Sequence, residues 1–328
     1  MLRAKILGTG SYAPQKVITN RDLAGIVETS DEWITSRTGI RERRVAVNET
    51  TTEMASKAGK AALKAAGVSP KDIDLIVVGT VTPEFTFPST ACFVQSTLGI
   101  KPGAAAFDVS AACSGFLYAL DAAEKYLKTG AAKKALVIGV DAFSRLMDWT
   151  DRTTCVLFGD GAGAVVLSAE KGAKGILSSN VHSDGRRWEM LYARGVSQKN
   201  PFEDNPHDAP RPSPHLKMQG NETFKIAVRT MGSAINEAIE NSGIKPDDIT
   251  LLIPHQANER IINAAKDRLK LNDERVYTNL DRFGNTSAGS IPLALDEAVR
   301  GGRIKDNDIV LFVAFGGGLT WASAVVRW

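Results

Sequence analysis

The chain has 328 residues, enough to bury a large core as one long domain or two ordinary ones. With 43% hydrophobic and 23% charged residues and a formal net charge of +3, it has the composition of a soluble globular protein and too little positive charge to argue for nucleic acid. No apolar run approaches the roughly 18–20 residues of a membrane span. The three cysteines and four histidines are scattered, which argues against a disulfide framework or metal site and for a reducing cytosol.

The first residues, MLRAKILGTGSYAP, carry no leader pattern and read as a strand entering a Gly/Pro turn. Residues 61–79, AALKAAGVSPKDIDLIVVG, read as an amphipathic helix closed by Gly67, a short Pro turn and a buried strand. Around Cys113, AFDVSAACSGFLYAL reads as a strand, a run of small residues and a helix. Apolar strands are expected at 135–143 and 161–169, and the Pro-, Asn- and Asp-rich stretch 191–218 as a long surface loop. The pattern then recurs. Residues 237–255, EAIENSGIKPDDITLLIPH, lie over 61–79, with Gly243 on Gly67, Pro246 on Pro70, Asp248 on Asp72 and Leu251 on Leu75. AGSIPLALDEA, from Ala288, lies over CSGFLYALDAA, from Cys113, and strands follow at 308–318 and 321–328.

Two matches in the same order at nearly the same offset indicate an internal duplication, with halves at 1–172 and 173–328. Strands alternating with helices make this an α/β protein, and continuous apolar strands suit sheets covered on both faces. The expected architecture is two halves side by side, with helices from each buried between two sheets.

Cys113 stands at the start of a helix, where free N–H groups and the helix dipole are expected to lower its pKa and favour the thiolate. A buried packing cysteine is the competing reading, and Cys92 and Cys155 are left with it. The matching position of the second half is Ala288, so the duplicated scaffold does not need a cysteine there for packing. His255 ends a strand in LLIPHQANERI, where α/β folds place their sites, although such a histidine can also be structural. Asn285, in DRFGNTSAGSIP, reads as a site residue or as an ordinary turn or cap asparagine.

Six segments together carry a resemblance: TSDEWITSRTGIRERR (29–44), DVSAACSGF (108–116), LFGDGAGAVVL (157–167), PHQANERII (254–262), GNTSAGSIPLALDEA (284–298) and AFGGGLTWASAVVRW (314–328). The chain resembles the thiolase superfamily, and within it the β-ketoacyl-[acyl-carrier-protein] synthase III family, over essentially its whole length. The resemblance implies a thiolase-like duplicated α/β/α/β/α five-layered fold and a decarboxylating condensation. Cys113 would take the acyl group of an acyl-CoA primer, with the amides of Cys113 and Gly317 as oxyanion hole. His255 and Asn285 would then donate to the thioester oxygen of malonyl-acyl-carrier protein as CO2 leaves, a role that needs the histidine proton on Nε2. The absence of a cysteine after Cys155, and Asn285 in place of a second histidine, favour this branch over its relatives.

By the same resemblance, Trp33 and Arg152 would sandwich the adenine of coenzyme A, with Arg37 near its phosphates and Thr29 close by. Asn221, Phe224, Ala257 and Asn258 would line the pantetheine tunnel. Lys225 and Arg260 would dock the acidic carrier protein, and Phe87 would close the acyl pocket across the interface of a homodimer. Read without the resemblance, Trp33 and Phe87 are core residues and the arginines and Lys225 a solvated face. No metal and no cofactor beyond the coenzyme A thioester substrate is implied. The alternatives are a related thiolase-fold acyltransferase of secondary metabolism, a Cys-His-Asn hydrolase, and an acyl-CoA-binding module without catalysis. Sequence leaves the primer open.

Overall fold

The computed structural model describes residues 2–195 and 213–328. Five strands form the first sheet: β1 (Leu2–Tyr12), β2 (Leu75–Gly79), β3 (Ala105–Val109), β4 (Lys134–Ala142) and β5 (Asp160–Lys171), in the order β1-β5-β4-β2-β3. Four form the second: β6 (Gly175–Ser183), β7 (Leu251–Pro254), β8 (Ile309–Gly316) and β9 (Thr320–Arg327), in the order β7-β8-β9-β6.

The two sheets are wired alike. In the first, β1 pairs antiparallel with β5, β5 antiparallel with β4, and β4 and β2 parallel with their next neighbours. In the second, β6 pairs antiparallel with β9, β9 antiparallel with β8, and β8 parallel with β7. Beyond β7, where the first sheet has β3, Val276 makes a lone parallel bridge to Leu252. Every residue of β2 and β8 is buried, so both sheets are covered on both faces.

The main helices are α1 (Asp31–Thr38), α2 (Thr51–Ala66), α3 (Thr90–Leu98), α4 (Gly115–Lys128), α5 (Gly220–Ser242), α6 (Glu259–Arg268) and α7 (Ser290–Arg300). α2 shows why such segments start and stop where they do. Thr50 and Glu53 form a capping box at its N-terminus, and Gly67 closes it in the left-handed region at φ 63°. Gly243 closes α5 in the same way, at φ 70°. α4 and α7 fill the middle layer: Phe116, Leu120, Ile291 and Leu295 share one core with Val77 and Val137 of the first sheet and Ile253 and Phe312 of the second. α2 and α3 cover the outer face of the first sheet, α5 and α6 that of the second. The result is the expected α/β/α/β/α stack of five layers.

Two glycines set how closely the middle helices approach the first sheet. A Cβ on Gly79 would run into the backbone of Gly115, and one on Gly139 into the carbonyl of Ala288. The starts of α4 and α7 are thereby pressed against β2 and β4. Each is preceded by a short turn, Ala112–Ser114 and Ser287–Gly289, and each turn opens on a left-handed non-glycine residue, Ala112 at φ 45° and Ser287 at φ 50°. Paired strain of this kind persists only where packing on all sides enforces it.

Of the loop expected at 191–218, residues 196–212 lie outside the described residues. Its described ends, Leu191–Tyr192 and Lys217–Met218, pair as a short antiparallel ribbon.

Candidate active site

The strained turn before α4 holds Cys113 at the seam of the two halves, where it is buried. Across the seam the hairpin between β8 and β9 passes so close that a Cβ on Gly316 would sit 2.9 Å from the Cβ of Cys113. Thr320 fastens it there, its Oγ1 lying 2.9 Å from the carbonyl of Ala111 and 3.0 Å from that of Gly317.

The segment 285–290 gathers the other groups. The Asn285 amide donates to Leu157 O at 2.9 Å and its carbonyl accepts from Gly159 at 3.0 Å, so its backbone is stitched to the chain before β5. Its Oδ1 accepts the amide of Ser287 at 2.8 Å, which leaves its NH2 as the free end of the side chain. Ser287 Oγ donates to Cys113 Sγ at 3.6 Å, and the Asn285 side chain lies near enough to the thiol to act on its pKa. Ser290, at the start of α7, lies 3.0 Å from Nδ1 of His255.

His255 ends β7, its amide donating to Val313 O at 2.8 Å. Its ring is buried, and burial pulls its pKa down to about 3, so it is neutral at physiological pH. Nε2 has no hydrogen-bond partner among the described residues. The Ser290 hydroxyl accepts the Gln256 amide at 2.7 Å and still has its own proton to give. Given to Nδ1, that proton places the imidazole proton on Nε2, the tautomer in which the unpartnered nitrogen is a donor.

The thiol corrects one expectation. Burial pushes Cys113 up to about 12, against hydrogen bonds from Ser287 and Asn285 and with the negative charge of Asp141 adding to the rise. Desolvation outweighs the helix start, and the free enzyme holds a thiol rather than a ready thiolate. Of the other cysteines, Cys155 is buried and Cys92 half-buried.

Cys113 and Gly317 open into a cavity of about 680 Å³. Its walls are mostly apolar, with Phe87, Phe143, Leu146, Phe158, Leu191 and Leu216 among them. The described ends of the long loop thus reach the cavity wall. Phe87 stands at its rim, 82% exposed.

The residues expected to hold coenzyme A lie on the surface around α1. Both Arg37 and Arg152 stack on Trp33 itself, at 4.5 and 5.2 Å from its ring centroid, and Arg152 donates to Glu28 O at 2.9 Å. A base between Trp33 and Arg152 needs van der Waals clearance on both faces, roughly 7–8 Å in all. As the side chains stand there is no room for a base between them, and Arg152 would have to swing out to admit one. Thr29 is half-buried, its Oγ1 without a partner among the described residues. Asn258 caps α6 through Arg260 N at 2.9 Å and donates to Arg37 O at 2.9 Å, so its side chain is engaged in joining α6 to α1. Ala257 is half-buried beside it. Phe224 lies under the guanidinium of Arg260, 5.3 Å from the ring centroid, while Asn221 and Lys225 are exposed and Lys225 pairs with Glu222 at 2.7 Å.

Sequence reasoning missed three residues: Asp141, Ser287 and Ser290. Asp141 carried a signal, a lone carboxylate inside the apolar run ALVIGVDAF. The serines carried only their place in a polar string beside Asn285.

A duplicated five-layered fold with a buried cysteine at the start of a middle helix defines a thiolase-fold acyltransferase. Comparison with known proteins narrows this. The family described as 3-Oxoacyl-[acyl-carrier-protein (ACP)] synthase III matches residues 107–185, and its C-terminal counterpart matches residues 239–328. The chain is 51% identical over 329 residues to a Beta-ketoacyl-[acyl-carrier-protein] synthase III of Caldanaerobacter subterraneus subsp. tengcongensis, covering 100% of this chain and 98% of that protein. It superposes on the crystal structure of 3-oxoacyl-[acyl-carrier-protein] synthase III from Aquifex aeolicus with a TM-score of 0.91 at 49% identity, over 99% of this chain and 100% of that one. The priming beta-ketosynthase of the R1128 polyketide pathway gives a TM-score of 0.91 at 35% identity, over 99% and 96% of the two chains. The chain belongs to the 3-oxoacyl-[acyl-carrier-protein] synthase III family.

Proposed function

We propose that this enzyme condenses a short acyl-CoA primer with malonyl-acyl-carrier protein, with loss of CO2, to give a 3-oxoacyl-acyl-carrier protein and so begin fatty-acid synthesis. The observation that carries the reading is the segment 285–290, which brings Asn285 and Ser287 to Cys113 and sets the Ser290 hydroxyl 3.0 Å from Nδ1 of His255. Cys113 loses its proton and attacks the thioester carbon, the amides of Cys113 and Gly317 hold the oxyanion, and coenzyme A leaves as its thiol. In the second half-reaction Nε2–H of His255 and the NH2 of Asn285 donate to the thioester oxygen of the malonyl group. They stabilise the enolate formed as CO2 departs. The enolate carbon attacks the acyl carbon, and the cysteine sulfur is released. A neutral histidine suits this role, because it donates a hydrogen bond without giving up its proton.

Trp33, Arg152, Arg37 and Thr29 bind coenzyme A, and its pantetheine arm runs past Asn221, Phe224, Ala257 and Asn258. Lys225 and Arg260 dock the acidic carrier protein. The exposed Phe87 closes the acyl pocket of a second copy in a homodimer, and the halves at 1–172 and 173–328 carry the nucleophile and the two donors respectively. No described helix is long and apolar enough to cross a membrane, and the cytosol is the proposed compartment. The likeness to a priming ketosynthase of polyketide synthesis supports a second reading, a related acyltransferase with another donor or acceptor.

Radiolabelled acetyl-CoA, or a short branched acyl-CoA, is expected to label Cys113, and malonyl-carrier protein to discharge the label as a β-ketoacyl product. Full condensing activity in Cys113→Ser would overturn the choice of nucleophile. Acylation without discharge by malonyl-carrier protein would favour the second reading.

A further inference from the structure

Asp141, next to last in β4, is fully buried and does not line the cavity, so it touches no substrate. Its Oδ1 accepts from Thr80 Oγ1 at 3.0 Å, Val81 N at 2.8 Å and Thr82 Oγ1 at 3.0 Å. Its Oδ2 accepts from Ala288 N at 3.2 Å. No basic side chain among the described residues forms a salt bridge with it, so hydrogen-bond donors alone accommodate its charge. Burial pushes its pKa up to about 6, and the hydrogen bonds from Val81, Ala288 and Thr82 oppose the rise, which keeps it ionised at neutral pH.

These donors come from both sides of the active-site seam. Thr80 and Val81 follow β2 and line the cavity, whereas Ala288 follows Ser287 in the segment that carries Asn285. The demand for a carboxylate is strict. A threonine hydroxyl can turn from donor to acceptor, but an amide N–H cannot, and one such N–H meets each carboxylate oxygen. An asparagine offers one acceptor oxygen, so in either orientation it sets NH2 against an N–H. With Oδ1 keeping Val81 and the two threonines, the mismatch falls on Ala288.

We propose that Asp141 is a positioning residue for the condensation step: its carboxylate pins the turn at residues 287–288, and through it Asn285, against the nucleophile. The idea rests on the roles proposed above for Cys113 and Asn285. Cys113 has its own support in the turn before α4 and the hairpin at Gly316, so acylation depends less on Asp141 than discharge does.

The test is a single-turnover comparison of wild type, Asp141→Asn, Asn285→Ala and the double variant, each rate counted per site that takes up label from acetyl-CoA. That count leaves out unfolded chains. Asp141→Asn is expected to slow discharge by malonyl-carrier protein by about 10–100-fold, at least tenfold more than it slows acylation. In the Asn285→Ala background it should add less than about threefold, because the two residues act as one unit. Equal slowing of both half-reactions, or full multiplication of the effects in the double variant, would overturn the proposal. If Asp141→Asn yields no labelled sites, Asp141→Glu decides. That change keeps the charge and both acceptor oxygens but displaces them by a methylene, so discharge slowed at least tenfold more than acylation supports the proposal and equal slowing of the two sinks it. Failure of wild type itself to acylate or discharge would instead defeat the function on which the idea rests.

Discussion

Ser290 presents its hydroxyl 3.0 Å from Nδ1 of His255 while accepting the Gln256 amide at 2.7 Å. A proton given by this hydroxyl to Nδ1 leaves the ring proton on Nε2, where the proposed role needs it. Ser290→Ala leaves Nδ1 without a donor and lets the other tautomer, useless for donating at Nε2, compete. Discharge of the acetylated enzyme should slow roughly tenfold, with acylation of Cys113 changed by less than about threefold. Rapid-quench measurement of the two half-reactions checks this, and unchanged discharge would mean that something other than Ser290 sets the tautomer.

The raised pKa of Cys113 has a plain signature. A group titrating at about 12 is almost wholly protonated at neutral pH, and its thiolate fraction grows as pH rises. Alkylation of Cys113 by iodoacetamide in the free enzyme should therefore rise about tenfold per pH unit from 7 to 9 without levelling off. At pH 7 it should run roughly three orders of magnitude below a free cysteine of pKa about 8.5. Peptide-resolved mass spectrometry separates this signal from the more exposed Cys92. A plateau below pH 8 would show that the helix start wins over burial after all.

The stacking at Trp33 bears on coenzyme A binding. Stacking of a base on an aromatic ring contributes about 1–3 kcal/mol, so Trp33→Ala should raise KM for acetyl-CoA by roughly 5–150-fold. In the proposed binding mode the indole meets the substrate far from the reacting carbon, so kcat at saturation should stay within about twofold. The steady-state split decides it, and a fall in kcat at unchanged KM would place Trp33 outside the binding site.

Much of the fold was legible because the chain repeats its own punctuation. Gly67 and Gly243 close helices of the same kind, and the burial of LIVVG and IVLFVAFG follows from uninterrupted apolar residues. Cys113, His255 and Asn285 stood out by position and resemblance. Asp141, Ser287 and Ser290 did not, because what they do depends on contacts over large separations along the chain. Asp141 meets Val81 and Ala288 only once the strands have paired and α7 has docked. The pKa of Cys113 failed for the same reason: a helix start is a local feature, but burial is a property of the whole core.

Arg43 offers a last test, on stability. It is fully buried and donates to Val156 O and Asn20 Oδ1 at 2.8 Å each and to Ile18 O at 3.2 Å. No carboxylate pairs with it among the described residues, and burial draws its pKa down to about 10, still high enough to keep it charged at neutral pH. Two opposing effects are at stake in Arg43→Met, which keeps much of the volume but removes charge and donors. Relief from burying an unpaired cation favours the variant. Against it stand two buried acceptors, Val156 O and Asn20 Oδ1, left short of a bond at roughly 1–3 kcal/mol each, and the lost part-buried bond to Ile18 O. Side chains at Arg43 also support the crossing where a Cβ on Gly159 or Gly284 would meet its own Cβ, beside Asn285. We expect the lost hydrogen bonds to dominate, with a net cost of about 2–4 kcal/mol and a fall in Tm of roughly 5–10 °C. Calorimetric melting of wild type and variant measures it directly. A higher Tm in Arg43→Met would mean that desolvating the guanidinium costs more than its three bonds return, and that Arg43 is held for a reason other than stability.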